Sequence, residues 1–233
     1  MTSRTDSIRA GSAASGQHFD AYVSVPENPN GHAVIVLQEI FGVTPPVRKV
    51  SDRFAEAGYL AVAPDLFWRV EPGLSLSHSK EDMARAFSIL GNFSDDSAMQ
   101  DIQATLAHIK ALPGFRGRVA VTGMCLGGKL TYLAAARMKL DAAIAFYGVG
   151  IEKHLDEAKG ITSPTLMFFG GIDKYVTEGA RRDIASAVRG KAEVVVYPQA
   201  DHGFYTRGEA DTVADAHQKA LAFLSASLNA QRI

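Results

Sequence analysis

Continuous apolar runs that alternate with helical patterns restrict the fold of this chain more than any other feature. Strand patterns occupy residues 21–26, 33–37, 59–63, 118–122, 142–147, 164–169 and 193–197. Helical periodicity predicts helices over residues 47–57, 81–90, 95–112, 126–138, 178–188 and 211–228. This alternation predicts an α/β protein with a mostly parallel central sheet and helices on both of its faces.

The composition narrows the class of protein. With 233 residues, 47% of them apolar, the chain can bury a large core. Its formal net charge of −1 gives no electrostatic reason to bind nucleic acid or a membrane surface. We find no apolar run of 18 residues and no apolar signal segment near the start. We expect one domain over residues 17–233, preceded over residues 1–16 by a flexible terminus or an edge hairpin.

The sequence contains one cysteine, Cys125, which excludes a disulfide within the chain and a cysteine-based zinc site. A thiol that must stay reduced fits a cytoplasmic protein. Cys125 lies in Gly-Met-Cys-Leu-Gly-Gly, residues 123–128, after an apolar strand and before a helix. This is the G-x-nucleophile-x-G pattern of a nucleophile elbow, with cysteine as the nucleophile.

The chemistry of such an elbow follows from its position. Glycines on either side of the nucleophile leave room for crossing backbone. The helix that begins after Cys125 favours a thiolate through its dipole, and the N–H of Leu126 is placed to hold an oxyanion. A lone cysteine is otherwise usually a buried and inert residue, so the catalytic interpretation depends on the strand, elbow and helix around it.

The chain order of this fold is nucleophile, acid and then histidine. Asp173 follows the strand pattern that ends at residue 169, and His202 lies between the last strand pattern and the last helix pattern. We therefore predict a Cys125–Asp173–His202 triad, in which His202 takes the thiol proton and Asp173 orients the imidazole. The alternative role of Asp173 is that of a turn or helix-capping residue.

Lysine and arginine are scattered along the sequence, except for the Arg181-Arg182 pair. This pair is predicted to lie on a solvated helix face.

These residues belong to a wider pattern that resembles the dienelactone hydrolase family of α/β-hydrolases, the carboxymethylenebutenolidases. The resemblance runs from about Phe19 to Leu228. Its motifs are V-L-Q-E-I-F-G at 36–42, A-P-D-L-F at 63–67, G-M-C-L-G-G at 123–128, F-Y-G-V-G at 146–150, G-G-I-D at 170–173 and D-H-G-F at 201–204. The resemblance implies an ester or lactone hydrolase. The triad chemistry needs no cofactor, and the histidines and acidic residues show no metal-binding spacing such as H-E-x-x-H.

The resemblance also implies further site residues. Glu39 would contact the resting cysteine and help control its ionisation, and the N–H of Ile40 would be the second oxyanion donor. Six side chains are candidates for binding the substrate: Phe41, Arg85, Phe87, Tyr147, Phe204 and Arg207. Trp68 and Tyr205 are further candidates for aromatic pocket walls, although aromatic residues are common in any core.

The sequence departs from the family at positions that hold a substrate carboxylate. An arginine and a tyrosine four residues apart correspond to Met83 and Phe87 here, with Arg85 offset from both. The arginine four residues after the histidine corresponds to Thr206, which Arg207 follows. Because arginine pairs bidentately with carboxylates, these changes predict a less anionic or a larger acyl substrate.

Two other classes of function remain open from the sequence. One is a non-catalytic ligand-binding protein on the same scaffold, and the other is a thiol redox sensor. The predicted triad argues against the ligand-binding protein. The redox sensor is disfavoured because the chain has no other cysteine that could resolve a sulfenic acid. The sequence does not indicate an oligomeric state.

Overall fold

The structure, a computed structural model, describes residues 1–10 and 16–230. Within the chain, two compact units can be distinguished, Met1–Arg118 and Val119–Ile233. The expectation of a single domain over residues 17–233 stays a prediction. Of the terminus predicted for residues 1–16, residues 11–15 lie outside the described part.

The first unit contains four strands and three helices among its described residues. The strands are β1 Thr2–Arg9, β2 His18–Val25, β3 Ala33–Leu37 and β4 Leu60–Pro64, and the helices are α1 Pro45–Glu56, α2 Lys80–Leu90 and α3 Asp95–Ala111. The strand order is β1-β2-β4-β3. The pairs β1–β2 and β2–β4 are antiparallel, and β3–β4 is parallel.

Local sequence explains where these elements begin. Proline at the first helical position starts α1, because its missing N–H would lack a helical partner there. Ser79 and Ser94 cap α2 and α3 by accepting hydrogen bonds from backbone N–H groups of the first turns. All five residues of β3 are buried, which agrees with its uninterrupted apolar sequence.

The second unit contains four strands and four α-helices among the residues described. The strands are β5 Val119–Met124, β6 Ala142–Phe146, β7 Thr165–Gly170 and β8 Glu193–Tyr197. The helices are α4 Leu126–Arg137, α5 Glu178–Ala187, α6 Phe204–Arg207 and α7 Ala210–Asn229, with 3₁₀ turns at Ile151–Lys153 and Leu155–Gly160. Adjacent strands pair in parallel in the order β5-β6-β7-β8.

The parallel strands of the second unit form its core. Every residue of β5, β6 and β7 is buried, whereas β8 is half-buried. Helix α4 packs on β5 and β6, and α7 packs on β5, β6 and β7. The predicted α/β class, with a mostly parallel sheet and surrounding helices, is confirmed.

Candidate active site

The candidate active site of the second unit lies where its four parallel strands end. Cys125 directly follows β5, Tyr147 directly follows β6, Asp173 comes shortly after β7, and His202 comes shortly after β8. The carboxyl ends of parallel strands lie at one edge of a sheet, which is where open α/β sheets bind ligands. The topology therefore brings residues from distant parts of the sequence to the same edge.

The backbone at Cys125 has an unusual conformation. Its φ of 56° and ψ of −114° lie in a region that residues with a side chain rarely adopt, which costs about 1–3 kcal/mol. Surrounding contacts hold it there: the N–H of Cys125 donates to the oxygen of Phe146 at 3.1 Å, and its carbonyl accepts from Lys129 and Val149. Cys125 precedes α4 directly, so its side chain lies at the positive end of that helix dipole.

Gly128, one residue beyond the second glycine of the elbow pattern, is where backbone approaches most closely. A Cβ atom on Gly128 would lie 2.3 Å from the oxygen of Phe146 and 2.8 Å from the Cα of Gly148. Both obstructing atoms belong to backbone, which cannot rotate away as a side chain can. The close packing of α4 against the end of β6 therefore requires glycine here.

We expect Gly128→Ala to lower the free energy of unfolding by about 2–3 kcal/mol, because the added methyl group overpacks a rigid contact. Gly179→Ala is the control, since its Cβ would meet only Thr177 Oγ1 at 3.9 Å, and alanine stabilises a helix relative to glycine by about 0.5–1 kcal/mol. Urea unfolding of both variants measures the difference. Equal stability of the two variants would contradict the packing argument.

His202 and Asp173 form a close pair. His202 Nδ1 lies 2.8 Å from Asp173 Oδ2, and the side chains are 8% and 0% exposed. An ionised carboxylate only accepts hydrogen bonds, so the proton of this contact belongs to Nδ1. Nε2 of the neutral imidazole is then left with a lone pair and can act as a base.

The carboxylate of Asp173 is held on both of its oxygens. Oδ1 accepts the N–H groups of Tyr175 at 2.7 Å and Val176 at 3.0 Å, while Oδ2 faces His202. Burial by itself raises the pKa of Asp173, but the hydrogen bond and charge of His202 and these two N–H groups outweigh it. The net result is a pKa below the ordinary value of 3.8, so Asp173 is ionised at neutral pH.

Tyr147 contacts the His202 ring and follows the residue that binds the Cys125 backbone. Its ring meets the His202 ring edge-on, with centroids 4.9 Å apart, and the carbonyl of the preceding residue, Phe146, accepts the N–H of Cys125. Tyr147 has a positive φ of 38° and is fully buried. Its hydroxyl lies 3.4 Å from Thr206 Oγ1.

Two other aromatic residues surround this pair. Phe204, a predicted substrate-binding residue, is buried and packs against Tyr147 with ring centroids 5.2 Å apart. Tyr175 was not singled out from the sequence, yet its ring meets His202 edge-on at 4.8 Å while remaining 56% exposed. Its position two residues after Asp173, within the turn that this aspartate organises, is the signal that points to it.

Two further candidates of this unit have defined places. The guanidinium of Arg207 lies against Gly203, where a Cβ would come within 2.1 Å of its Cζ, and it donates to Thr206 Oγ1 at 3.2 Å. Tyr205 is fully buried, stacks on Phe146 at 3.8 Å and has its hydroxyl 2.7 Å from His217 Nδ1. Tyr205 is therefore a core residue.

The remaining predicted site residues belong to the first unit. Glu39 follows β3 and is 2% exposed, and the adjacent Ile40 is half-buried. Phe41 is buried with its ring 4.2 Å from that of His78. Arg85 pairs with Glu71, and Phe87 is 52% exposed.

Trp68, considered as a pocket wall, has a structural role in this unit. Its Nε1 donates to Asp101 Oδ2 at 3.0 Å, and Arg69 donates to both oxygens of the same buried carboxylate. Its ring also stacks on Phe19 at 5.8 Å. These contacts fix Trp68 between β2 and α3.

The described residues contain neither a metal-binding cluster nor a membrane-spanning helix. Across residues 1–10 and 16–230, no cluster of three or more histidine, cysteine, aspartate or glutamate side chains could hold a metal ion. In the same part of the chain, no helix is both long and apolar enough to cross a membrane.

The fold and the residues at its strand ends define an α/β-hydrolase. Over residues 19–230, the chain matches the sequence model of the dienelactone hydrolase family. It is 38% identical over 168 residues to carboxymethylenebutenolidase 1 of Cupriavidus pinatubonensis, covering 72% of each chain. It is 34% identical over 194 residues to the carboxymethylenebutenolidase of Pseudomonas sp. strain P51, covering 82% of each.

The similarity extends to known structures. A crystal structure from Klebsiella pneumoniae, of a protein assigned to the dienelactone hydrolases, superimposes with a TM-score of 0.81 at 29% identity. The match covers 97% of this chain and 99% of that one. The chain therefore belongs to the dienelactone hydrolase family and is an enzyme that hydrolyses an ester or a lactone.

Proposed function

We propose that the chain hydrolyses a small-molecule ester or lactone through a thioester on Cys125, with His202 as base and Asp173 as orienting acid. The observation that carries this proposal is the 2.8 Å contact between His202 Nδ1 and Asp173 Oδ2. This contact lies at the carboxyl ends of the parallel strands, where Cys125 follows β5. Cys125 has the backbone conformation of a nucleophile elbow. No cofactor is needed for this chemistry.

The reaction has two halves. His202 Nε2 takes the proton of the Cys125 thiol, and sulfur attacks the carbonyl carbon. The tetrahedral intermediate collapses with cleavage of the C–O bond, and the leaving oxygen takes the proton from His202. In a lactone, this oxygen remains attached to the acyl chain. Water then loses a proton to His202 and attacks the thioester. The collapse of the second intermediate breaks the C–S bond, the sulfur takes the proton back from His202, and the acid is released.

The charge that develops on the carbonyl oxygen needs hydrogen-bond donors. Leu126 is the first residue of α4, and an N–H at that position of a helix has no preceding turn to donate to. Ile40 as the second donor and Glu39 as a control on the cysteine are carried here from the family resemblance. Both remain predictions.

We further propose a substrate that is less anionic, or larger in its acyl part, than a dienelactone. Arg85 is engaged by Glu71, so its charge is already paired. Thr206 stands where the resemblance implies an arginine, and it lies beside the Tyr147 hydroxyl. A reduced thiol as nucleophile also supports a cytoplasmic enzyme.

Alkylation tests the role of the thiol. Because Cys125 is the one cysteine of the sequence, we expect iodoacetamide to abolish hydrolysis in proportion to the addition of one carbamidomethyl group, followed by intact mass. A serine-directed organophosphate should inactivate far more slowly. The assay uses neutral p-nitrophenyl esters beside dienelactone, which also tests the substrate preference. Full activity after complete alkylation would refute the thioester route.

A further inference from the structure

Arg181 of α5 was predicted to lie on a solvated helix face, and the structure shows that this is wrong. The residue is half-buried. Its Nη1 donates to the oxygen of Val176 at 2.6 Å, and its Nη2 donates to the oxygen of Gly171 at 2.8 Å. One guanidinium group therefore binds two carbonyls, one from a residue before Asp173 in the sequence and one from a residue after it. We call residues 171–176 the acid loop.

The two residues that Arg181 binds are those that fix Asp173 and its partner. Val176 donates its own N–H to Asp173 Oδ1. Gly171 donates its N–H to the oxygen of Tyr197 at 2.7 Å, and Ile172 donates to Ala200 at 3.1 Å. These last two bonds join the acid loop to the segment that leads from β8 to His202.

We propose that Arg181 is a positioning residue of the hydrolytic site, which holds the acid loop in the shape that pairs Asp173 with His202. This inference rests on the proposed function. The hydrogen bonds of Arg181 go to the backbone oxygens of Val176 and Gly171, so the residue acts on the geometry of the acid loop. The rigid fork of a guanidinium can bind two separated carbonyls, whereas an ammonium group is a single point of donation.

Adjacent Arg182 provides a matched control. Its side chain is 78% exposed and lies 3.9 Å from Asp183. It shares the helix, the charge and the size of Arg181. A difference between the two substitutions therefore reports the contacts to the acid loop and not the loss of a positive charge from α5.

The test compares Arg181→Met, Arg181→Lys and Arg182→Met. We expect Arg181→Met to lower kcat by roughly 10–100-fold with KM changed less than about threefold, because a small displacement of a catalytic pair affects the chemical step. Arg181→Lys should fall between Arg181→Met and the wild type, and Arg182→Met should stay within about twofold. If Arg181→Met does not fold, the kcat of Arg181→Lys decides, and a value equal to the wild type overturns the proposal.

A double-mutant cycle separates positioning from a general structural effect. In the Asp173→Asn background, Arg181→Met should cost less than about threefold in kcat, because the pair that it positions is already lost. An equal fold-loss in both backgrounds would overturn the proposal. If Asp173→Asn itself leaves kcat unchanged, the proposed function fails independently of Arg181.

Discussion

Cys125→Ala is expected to lower kcat by about 10⁴-fold or more, the size of loss that follows removal of a covalent nucleophile. The variant keeps the scaffold, the His202–Asp173 pair and the first turn of α4. It removes the one atom that can form the acyl bond. Residual hydrolysis would then come from binding and from stabilisation of the oxyanion alone. Single-turnover and steady-state rates with a p-nitrophenyl ester measure the loss.

The acyl-enzyme itself provides the second readout. Rapid acid quenching of the wild type should yield a peptide containing Cys125 with the mass of the acyl group, and Cys125→Ala should yield none. Thermal unfolding of the variant is the control for folding. A variant that is folded and hydrolyses esters within tenfold of the wild-type rate would exclude the covalent route and favour a water-only mechanism.

The parallel strands were predictable because burial on both faces leaves an uninterrupted apolar sequence. The strand Ala33–Leu37 was predicted with the bounds that the structure gives. Long amphipathic helices such as α3 and α7 were also predicted, with small shifts at their ends. Their periodicity extends over several turns, so the pattern is averaged over many residues.

The short elements were not predictable in the same way. The 3₁₀ turns at residues 151–160 and the helix Phe204–Arg207 are each too brief to show periodicity. A single turn is unstable in isolation, so its conformation depends on tertiary contacts. For α6, the left-handed Gly203 directs the chain into the turn, and the side chains of Phe204 and Tyr205 within the turn are buried.

Residue type and chain order were enough to predict that Asp173 and His202 would meet, since both follow strands of one parallel sheet. The same reasoning placed Arg181 on a solvated face, because a helix pattern shows which residues are charged but not which loop carbonyls lie nearby. The contacts of Arg181 depend on the path of the acid loop. At the start of this loop Gly171 packs closely against Pro198, where a Cβ would come within 2.3 Å of the Pro198 oxygen, and a helix pattern does not reveal such a contact.

Asp173→Asn is expected to lower kcat by about 10⁴-fold at neutral pH, with KM little changed. The carboxylate accepts the proton of His202 Nδ1 and stabilises the imidazolium that forms during the reaction. An asparagine amide can instead donate to Nδ1, which places the ring proton on Nε2, the nitrogen that must act as base. The variant preserves size and both backbone contacts to Oδ1, so the loss measures the tautomer and the charge.

The lowered pKa of Asp173 predicts how the difference in stability between the wild type and Asp173→Asn depends on pH. A carboxyl group whose pKa is lower in the folded state stabilises the protein above its unfolded pKa, here about 3.8. That contribution is lost as the pH falls through the lower, folded value. The difference in unfolding free energy between wild type and Asp173→Asn should therefore shrink as the pH falls below about 4. Urea unfolding at each pH measures it.

Asp201→Asn is the matched control, because Asp201 precedes His202 and accepts its backbone N–H at 2.7 Å from an exposed position. The carboxylate that faces His202 Nδ1 is that of Asp173, so we expect Asp201→Asn to lower kcat by less than tenfold. Asp173 is ionised throughout the neutral range, and any acid limb of the wild-type pH–rate profile between pH 5 and 8 must therefore come from another group. If Asp201→Asn costs as much as Asp173→Asn, the carboxylate that orients His202 has been assigned to the wrong residue.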